Sequence, residues 1–171
     1  TEEYISHTDT KRNLFEKVYH LVREYAIKKK VALINKEQTK GSLLDIGCGT
    51  GDFLAAAKNN GWSVTGIEPN EDARAKANIK TSNSVYDISK LEHLPENSFD
   101  VITLWHVLEH LPNLELHIQV FKKLLKSNGS LIIAVPNHKS FDAIYYNEFW
   151  AAYDVPRHLW HFSQTSIKNL F

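Results

Sequence analysis

Residues 43–51, Leu43-Leu44-Asp45-Ile46-Gly47-Cys48-Gly49-Thr50-Gly51, set an acidic residue and three alternate glycines behind an apolar run, and a second apolar run ends seventeen residues later at Glu68. Alternate glycines let a chain turn sharply out of a strand and bring bare backbone close to a ligand, because no Cβ stands in the way. A carboxylate at the end of the next strand can accept hydrogen bonds from both hydroxyls of a ribose. The loop therefore predicts a pocket for an adenosine-containing ligand. Its spacing is G-x-G-x-G, and Asp52 stands where a dinucleotide fingerprint wants its third small residue. A pyrophosphate is held by bare amides at a positive helix end, whereas Asp45 and Asp52 flank this loop with negative charge. Acidic flanks favour a ligand that carries positive charge.

Two other stretches carry chemistry-bearing side chains. His106-Val107-Leu108-Glu109-His110 spells H-x-x-E-H, a zinc-peptidase pattern when it lies on a long helix, where His106 and His110 would share a face. Here it directly follows a strand-like run, Pro112 limits any helix, and spacing assigns no third ligand, so a peptidase is not expected. Residues 147–163 (NEFWAAYDVPRHLWHFS) are aromatic, rich in histidine and poorly periodic, which reads as an irregular segment ahead of a helix capped by Ser163.

The elements that must position these residues alternate along the chain. Residues 10–34 carry Leu14, Val18, Leu21, Val22, Tyr25 and Ile27 at helical spacing and predict a leading amphipathic helix ending in a lysine run, Lys28-Lys29-Lys30, that suits a helix C-terminus. Strands are expected over residues 43–46, 63–67, 84–86, 99–104 and 130–135, and helices over 51–59, 71–79 and 114–126. Such alternation predicts an α/β fold, a Rossmann-like doubly wound and mostly parallel sheet with helices on both faces. Ligands bind such sheets at the carboxyl ends of the strands, where the strand order reverses. The expected organisation is a single domain over residues 1–171: a leading helical segment to residue 40, a cofactor-binding core over 41–137, and an acceptor-side lid with an incomplete C-terminal part over 138–171.

The 171 residues suffice for one core, and 20 Lys+Arg against 20 Asp+Glu give a formal charge of zero. That balance lacks the basic footprint of a nucleic-acid binder, so no nucleic-acid partner is expected. No apolar run is long enough to span a membrane and no signal-peptide core is present. The single cysteine, Cys48, permits no internal disulfide, which points to the cytoplasm, and it reads as a small residue fitting a tight turn. The sequence contains no methionine, which suggests part of a longer product.

Taken together, LLDIGCGTG, GIEPN, VYDISKLEHLPENSFDVITLWHVLEHLPN and VFKKLLKSNGSLIIAVPN resemble the class I S-adenosyl-L-methionine-dependent methyltransferases, of the Methyltransf_23 and Methyltransf_11 kind, over residues 40–137. The resemblance implies S-adenosyl-L-methionine as cofactor and S-adenosyl-L-homocysteine as product. It implies that Asp45, Gly47, Cys48, Gly49 and Gly51 hold the methionine part, Glu68 and Pro69 the ribose, Asp87 and Ile88 the adenine, and Trp105 and His106 the floor beneath the methionine. For Asp87 a helix cap ahead of Ser89 is the competing role.

H-x-x-E-H also resembles the E-x-x-E-H of metal-dependent O-methyltransferases, with His106 in place of the first glutamate. By that likeness Glu109 and His110 are candidate metal ligands, although metal-free relatives carry the same pair and no metal is the primary expectation. Residues 154–163 resemble the D-x-P-x-H-L-x-x-F-S segment of methyltransferases of bacterial glycan pathways. That match makes His158 the candidate general base, with His106 and Tyr153 as further catalytic candidates and Arg157 and His161 near the acceptor. Lid packing is the competing role for His158.

The resulting expectation is methyl transfer to a small-molecule or glycan acceptor, on a hydroxyl oxygen. The alternatives are a non-catalytic domain that binds S-adenosylmethionine or S-adenosylhomocysteine, and an NAD-dependent oxidoreductase. The resembled family finishes with two further strands, so the fifth strand here is expected to be a bare edge, which leaves a dimer possible.

Overall fold

The computed structural model of the protein describes residues 14–171, with side chains from residue 18 onward. In chain order the main elements are α1 (Leu14–Glu37), β1 (Ser42–Ile46), α2 (Asp52–Asn59), β2 (Ser63–Ile67), α3 (Glu71–Thr81), β3 (Val85–Tyr86), β4 (Phe99–Trp105), α4 (Leu114–Leu124), β5 (Leu125–Ala134), α5 (Phe141–Tyr146) and α6 (Gln164–Leu170). Among the described residues all five strands are parallel in one sheet of order β3-β2-β1-β4-β5. The order reverses at β1, whose two neighbours are β2 and β4, and the glycine loop leaves β1 at that point. This is the expected α/β doubly wound architecture.

Period-two alternation along β1 and β4 splits the core into two layers. Leu44, Ile46, Ile102 and Leu104 face one side, against Ile118 and Phe121 of α4. Leu43, Val64 and Val101 face the other, against Val31 and Ile34 of α1 and Phe53 and Leu54 of α2. Asp45 and Thr103 fall one register step further along the second face, so two polar side chains end up buried where α1 and α2 cover the sheet.

Two expectations need correction. Residues 10–13 of the leading helix lie outside the described residues. Further along α1, Val18, Leu21, Val22 and Tyr25 are exposed, and the buried face is made by Val31 and Ile34 with Ile27 half-buried. The C-terminal turns of α1 pack their apolar face against α2 and against Trp62 just beyond it, whose Nε1–H donates to Asn35 Oδ1 at 2.8 Å, and the helix runs on past the lysine run to Glu37. The fourth helix stops at Leu124 rather than residue 126, because Leu125 pairs with Phe99 and begins β5 ahead of a register irregularity. No helix among the described residues is long and apolar enough to cross a membrane.

Candidate functional site

The loop after β1 is built from its own backbone. The Gly47 and Cys48 N–H groups both donate to the Ile67 carbonyl at the end of β2, at 2.8 and 3.1 Å, and Gly51 N–H donates back to Cys48 O at 3.1 Å. Gly49 N–H donates to Glu68 Oε2 at 2.8 Å, and Asn70 N–H donates to Glu68 Oε1 at 2.9 Å. Glu68 is buried at the end of β2 and thus ties the glycine loop to the start of α3. Four loop amides are thus taken by the protein's own acceptors and are not available to a phosphate.

Gly47 has φ +68 and a Cβ there would collide with Val107, while Gly49 has φ +54 and a Cβ there would meet nothing within 4 Å. Gly47 is therefore needed for packing, and Gly49 faces open space that a ligand can enter. The Cys48 side chain packs with the core layer beneath α2, close to Gly66. Burial pushes its thiol up, above the ordinary thiol range, so it is a poor nucleophile.

Beneath the loop, Asp45 is 2 % exposed and accepts a hydrogen bond from Thr103 Oγ1 at 2.6 Å. Burial pushes its carboxyl up to about 7; the Thr103 hydrogen bond and the charge of Lys30 pull the other way, and Glu68 adds to the rise. Lys30, from α1, lays its Nζ 4.5 Å from the centroid of the Trp105 ring. Trp105 ends β4, stands edge-on to Phe53 with centroids 5.5 Å apart, and keeps a buried Nε1–H with no partner among the described residues. Sequence reasoning missed Lys30 and Thr103. The signal for Lys30 was there, because Arg23, Ile27, Lys30, Val31 and Ile34 follow the spacing of one helix face.

Asp52 plays a different part from the one expected of an acidic flank. Its carboxylate pairs with Arg23 of α1 and, at 2.7 Å, with Lys80 of α3, whose Nζ also donates to Thr50 O at 2.9 Å. Its charge is spent on fastening two helices to the loop. Just after β3, Asp87 Oδ1 accepts from Ser89 N–H at 3.0 Å, the cap role, and Oδ2 lies 3.4 Å from Arg74 Nη1. That capping bond, chiefly, holds the Asp87 carboxyl below the usual range. Ile88 beside it is 38 % exposed, leaving an apolar face for a ring to rest on.

The H-x-x-E-H segment forms no long helix. His106 follows β4 with φ +59, and residues Leu108–His110 make a single 3-10 turn, which removes the peptidase geometry. A non-glycine residue in the left-handed region at the end of a central strand is an outlier of the kind found at functional sites. Glu109 is 1 % exposed, and neither carboxyl oxygen has a hydrogen-bond partner among the described residues. His106 Nδ1, at 3.6 Å from Glu109 Oε1, is too distant to supply one.

Residues 147–163 bring His158 to the same place. Leu159 and Trp160 N–H donate to Glu109 O at 2.8 and 3.3 Å, and Trp160 Nε1–H donates to Leu111 O at 2.8 Å. His110 Nδ1 lies 2.9 Å from Arg157 O, and His158 Nδ1 lies 2.8 Å from Ala152 O. A carbonyl only accepts, so each Nδ1 carries the proton and each Nε2 presents a lone pair when the ring is neutral. The two rings meet edge to face, centroids 4.6 Å apart, and ligand atoms of Glu109, His110 and His158 all lie within 4.8 Å of one another. Tyr153 is caged between Trp150 and His161, with ring centroids 5.2 and 5.3 Å away. Arg157 is bound to Asp154 at 2.7 Å.

The sequence profile of the Methyltransf_23 family, a methyltransferase domain, matches residues 18–171. The chain belongs to the S-adenosylmethionine-dependent methyltransferases. Among curated relatives, the ubiquinone biosynthesis O-methyltransferase of Rickettsia akari is 30% identical over 149 residues, covering 79% of this methyltransferase chain and 57% of its own length. That of Glaesserella parasuis is 36% identical over 123 residues, covering 63% of this chain and 52% of its own. The chain therefore spans about half the length of these relatives. A solved methyltransferase from Archaeoglobus fulgidus superposes with a TM-score of 0.71 at 26% identity, covering 92% of this chain and 70% of its own. The magnesium protoporphyrin IX methyltransferase of Synechocystis PCC 6803, solved with bound S-adenosylhomocysteine, shares the fold with a TM-score of 0.67 at 19% identity, over 95% of this chain and 77% of its own.

The family's methyl donor is S-adenosylmethionine, and the residues present fit it. The open space at Gly49, the Glu68 carboxylate, buried Asp45 and the Trp105 N–H, which has no partner among the described residues, are groups of the kind that a nucleoside and an amino-acid end can use. The Glu109, His110 and His158 cluster equally fits a divalent cation, since a buried carboxyl without a donor stands beside two imidazole lone pairs.

Proposed function

We propose that this methyltransferase moves a methyl group from S-adenosyl-L-methionine to a hydroxyl oxygen of a small-molecule or glycan acceptor, with His158 as general base. The supporting observation is the convergence of the lid and the β4 turn, which sets the Nε2 lone pair of a largely buried His158 beside Glu109 and His110. The donor is activated already, so the protein's work is to align the acceptor oxygen with the methyl carbon and exclude water. On this reading Asp45 and the loop hold the methionine part, Glu68 the ribose, and Ile88 with Asp87 the adenine. His158 Nε2 takes the hydroxyl proton as the oxygen–carbon bond forms and the carbon–sulfur bond breaks. The Nδ1–H bond to Ala152 O fixes the tautomer, and Asp154 Oδ2, 3.8 Å from Nε2, steadies the imidazolium that results. Oxygen as the acceptor atom is supported by the curated relatives, which are O-methyltransferases.

The orphaned Glu109 carboxyl favours a second reading of the same cluster, in which Glu109, His110 and His158 hold a divalent cation. Such an ion supplies Lewis acidity that lowers the pKa of an acceptor hydroxyl. The two readings separate experimentally. S-adenosylhomocysteine release is measured with sugar-nucleotide and phenolic acceptors, with chelator or with added Mg²⁺, Mn²⁺ or Zn²⁺. With His158 as base, His158→Ala lowers turnover by about 10²–10⁴-fold, leaves S-adenosylhomocysteine affinity unchanged, and chelation has no effect. Metal-dependent turnover abolished by Glu109→Gln establishes the second reading. Unchanged turnover in His158→Ala removes both.

A further inference from the structure

The first half of α1 carries an apolar face that no described element covers. Val18, Leu21, Val22 and Tyr25 are 53–65 % exposed, and their spacing sets them on one side of the helix. At ~100° per residue that side lies about 180° from Arg23, Lys30, Val31 and Ile34, through which α1 is fastened to the glycine loop, Trp105 and α2. The stripe therefore faces straight away from the domain. Three lysines continue the same side: Lys28 and Lys29 flank its line, Lys36 falls on it, and none of them forms an ion pair among the described residues. Lys29 Nζ sits 5.3 Å from the centroid of the Tyr25 ring, a cation at the edge of the apolar stripe. Glu24 and Glu37 fall about 110° to either side. The outward face thus runs from apolar to basic without a carboxylate, on a chain whose formal charge is zero. Apolar and aromatic side chains with lysines beside them are the pattern of a helix lying in the plane of a lipid interface. A second copy of the chain fits the face less well. A parallel pair brings Lys28 and Lys36 against their own counterparts, and an antiparallel pair covers two turns of helix, short of the about 800 Å² per partner of a stable dimer.

We propose that the outward face of α1 docks on an anionic lipid surface, with Val18, Leu21, Val22 and Tyr25 among the headgroups and Lys28, Lys29 and Lys36 on the lipid phosphates. The helix is not apolar enough to cross a membrane, and lying on the surface requires no span. Docking leaves the inner face of α1 free to keep the bonds of Arg23 to Thr50 and Asp52. The contact is peripheral and reversible, since it is made by a few side chains and weakened by salt. It stands independently of the readings of the donor site and of the Glu109, His110 and His158 cluster.

Flotation with vesicles tests it, using equal parts phosphatidylcholine and phosphatidylglycerol against phosphatidylcholine alone, at low salt. The chain is expected to float with the mixed vesicles and to bind the neutral ones about tenfold more weakly or less. Each lysine near an anionic surface contributes about fivefold in partitioning, so Lys28→Gln, Lys29→Gln and Lys36→Gln together are expected to lower binding to the mixed vesicles by about 100-fold. Leu21→Ser with Val22→Ser is expected to lower it by about tenfold or more. All five positions are exposed, and circular dichroism shows that each variant keeps its fold. No flotation of the unaltered chain overturns the proposal, and so does flotation that both sets of variants retain. A dimer by light scattering that Leu21→Ser with Val22→Ser dissociates, in a chain that binds no vesicle, overturns it in favour of a second copy.

Discussion

Asp45→Asn should make the cofactor-free protein more stable, most of all at neutral and alkaline pH. Burial lifts the Asp45 carboxyl to about 7, roughly three pH units above an unperturbed aspartate, and at about 1.4 kcal/mol per unit the charged form costs about 4 kcal/mol in the fold. The sign follows from proton binding. The folded state holds this proton more tightly than the unfolded chain, so stability falls as pH rises from about 4 to about 7 and stays lower above that range. Asparagine keeps the acceptor for Thr103 Oγ1 and carries no charge. It also leaves Lys30 without its counter-charge, so about half of the gain, ~2 kcal/mol, is expected at pH 8. For a domain of this size that is a rise in melting temperature of about 4–8 °C. At pH 5 the gain should shrink to roughly a third. Urea unfolding at both pH values, without ligand, measures it. A variant no more stable than the parent at pH 8, or equally stabilised at both values, would refute the reasoning that burial governs Asp45. On the proposed role of Asp45, the same variant should bind S-adenosylhomocysteine more weakly.

Glu68→Ala strips the acceptors from Gly49 and Asn70 N–H, so S-adenosylhomocysteine affinity should drop by about 10–100-fold and stability by ~1–3 kcal/mol; equal affinity in variant and parent, by calorimetry, would sink the ribose assignment. Asp100 accepts hydrogen bonds from Lys126 Nζ, at 2.9 and 2.8 Å, and from Ser42 N–H, and the Lys126 bond above all holds its carboxyl down at about 2. Its stabilising contribution is present above pH ~4 and is lost as pH falls toward 2, so Asp100→Asn should cost about 1 kcal/mol at pH 7, after allowance for screening, and little at pH 3 in urea melts.

The glycine loop, the strand–helix alternation and Glu68 were legible in the sequence because each is a local pattern with one structural use. What escaped depends on contacts between distant segments. Leu125 and Lys126 continue a helical pattern and still belong to β5, since pairing with Phe99 outweighs local propensity. The acidity of Asp52 reads as a feature of the ligand until Arg23 and Lys80, far away in sequence, arrive to neutralise it. Val18 to Tyr25 look like a core-facing stripe, but only the later turns of α1 find α2 to cover them. The meeting of His158 with Glu109 and His110 needs the backbone bonds from Leu159 and Trp160 to Glu109 O, and no spacing encodes those.

The hydrogen bond from Thr103 to Asp45 also has a kinetic consequence. It spans 58 residues of chain and joins β1 to β4, the pair on which the strand order turns. Closing such a loop is entropically costly, and non-local parallel pairings of this kind are what make sheets of this topology slow to fold. On the proposed reading of the donor site, its base therefore forms only once the central strands have met. A cofactor that binds only the finished pocket acts after the rate-limiting pairing: it should slow unfolding and lengthen the lifetime of the native state, while the rate of reaching that state stays the same.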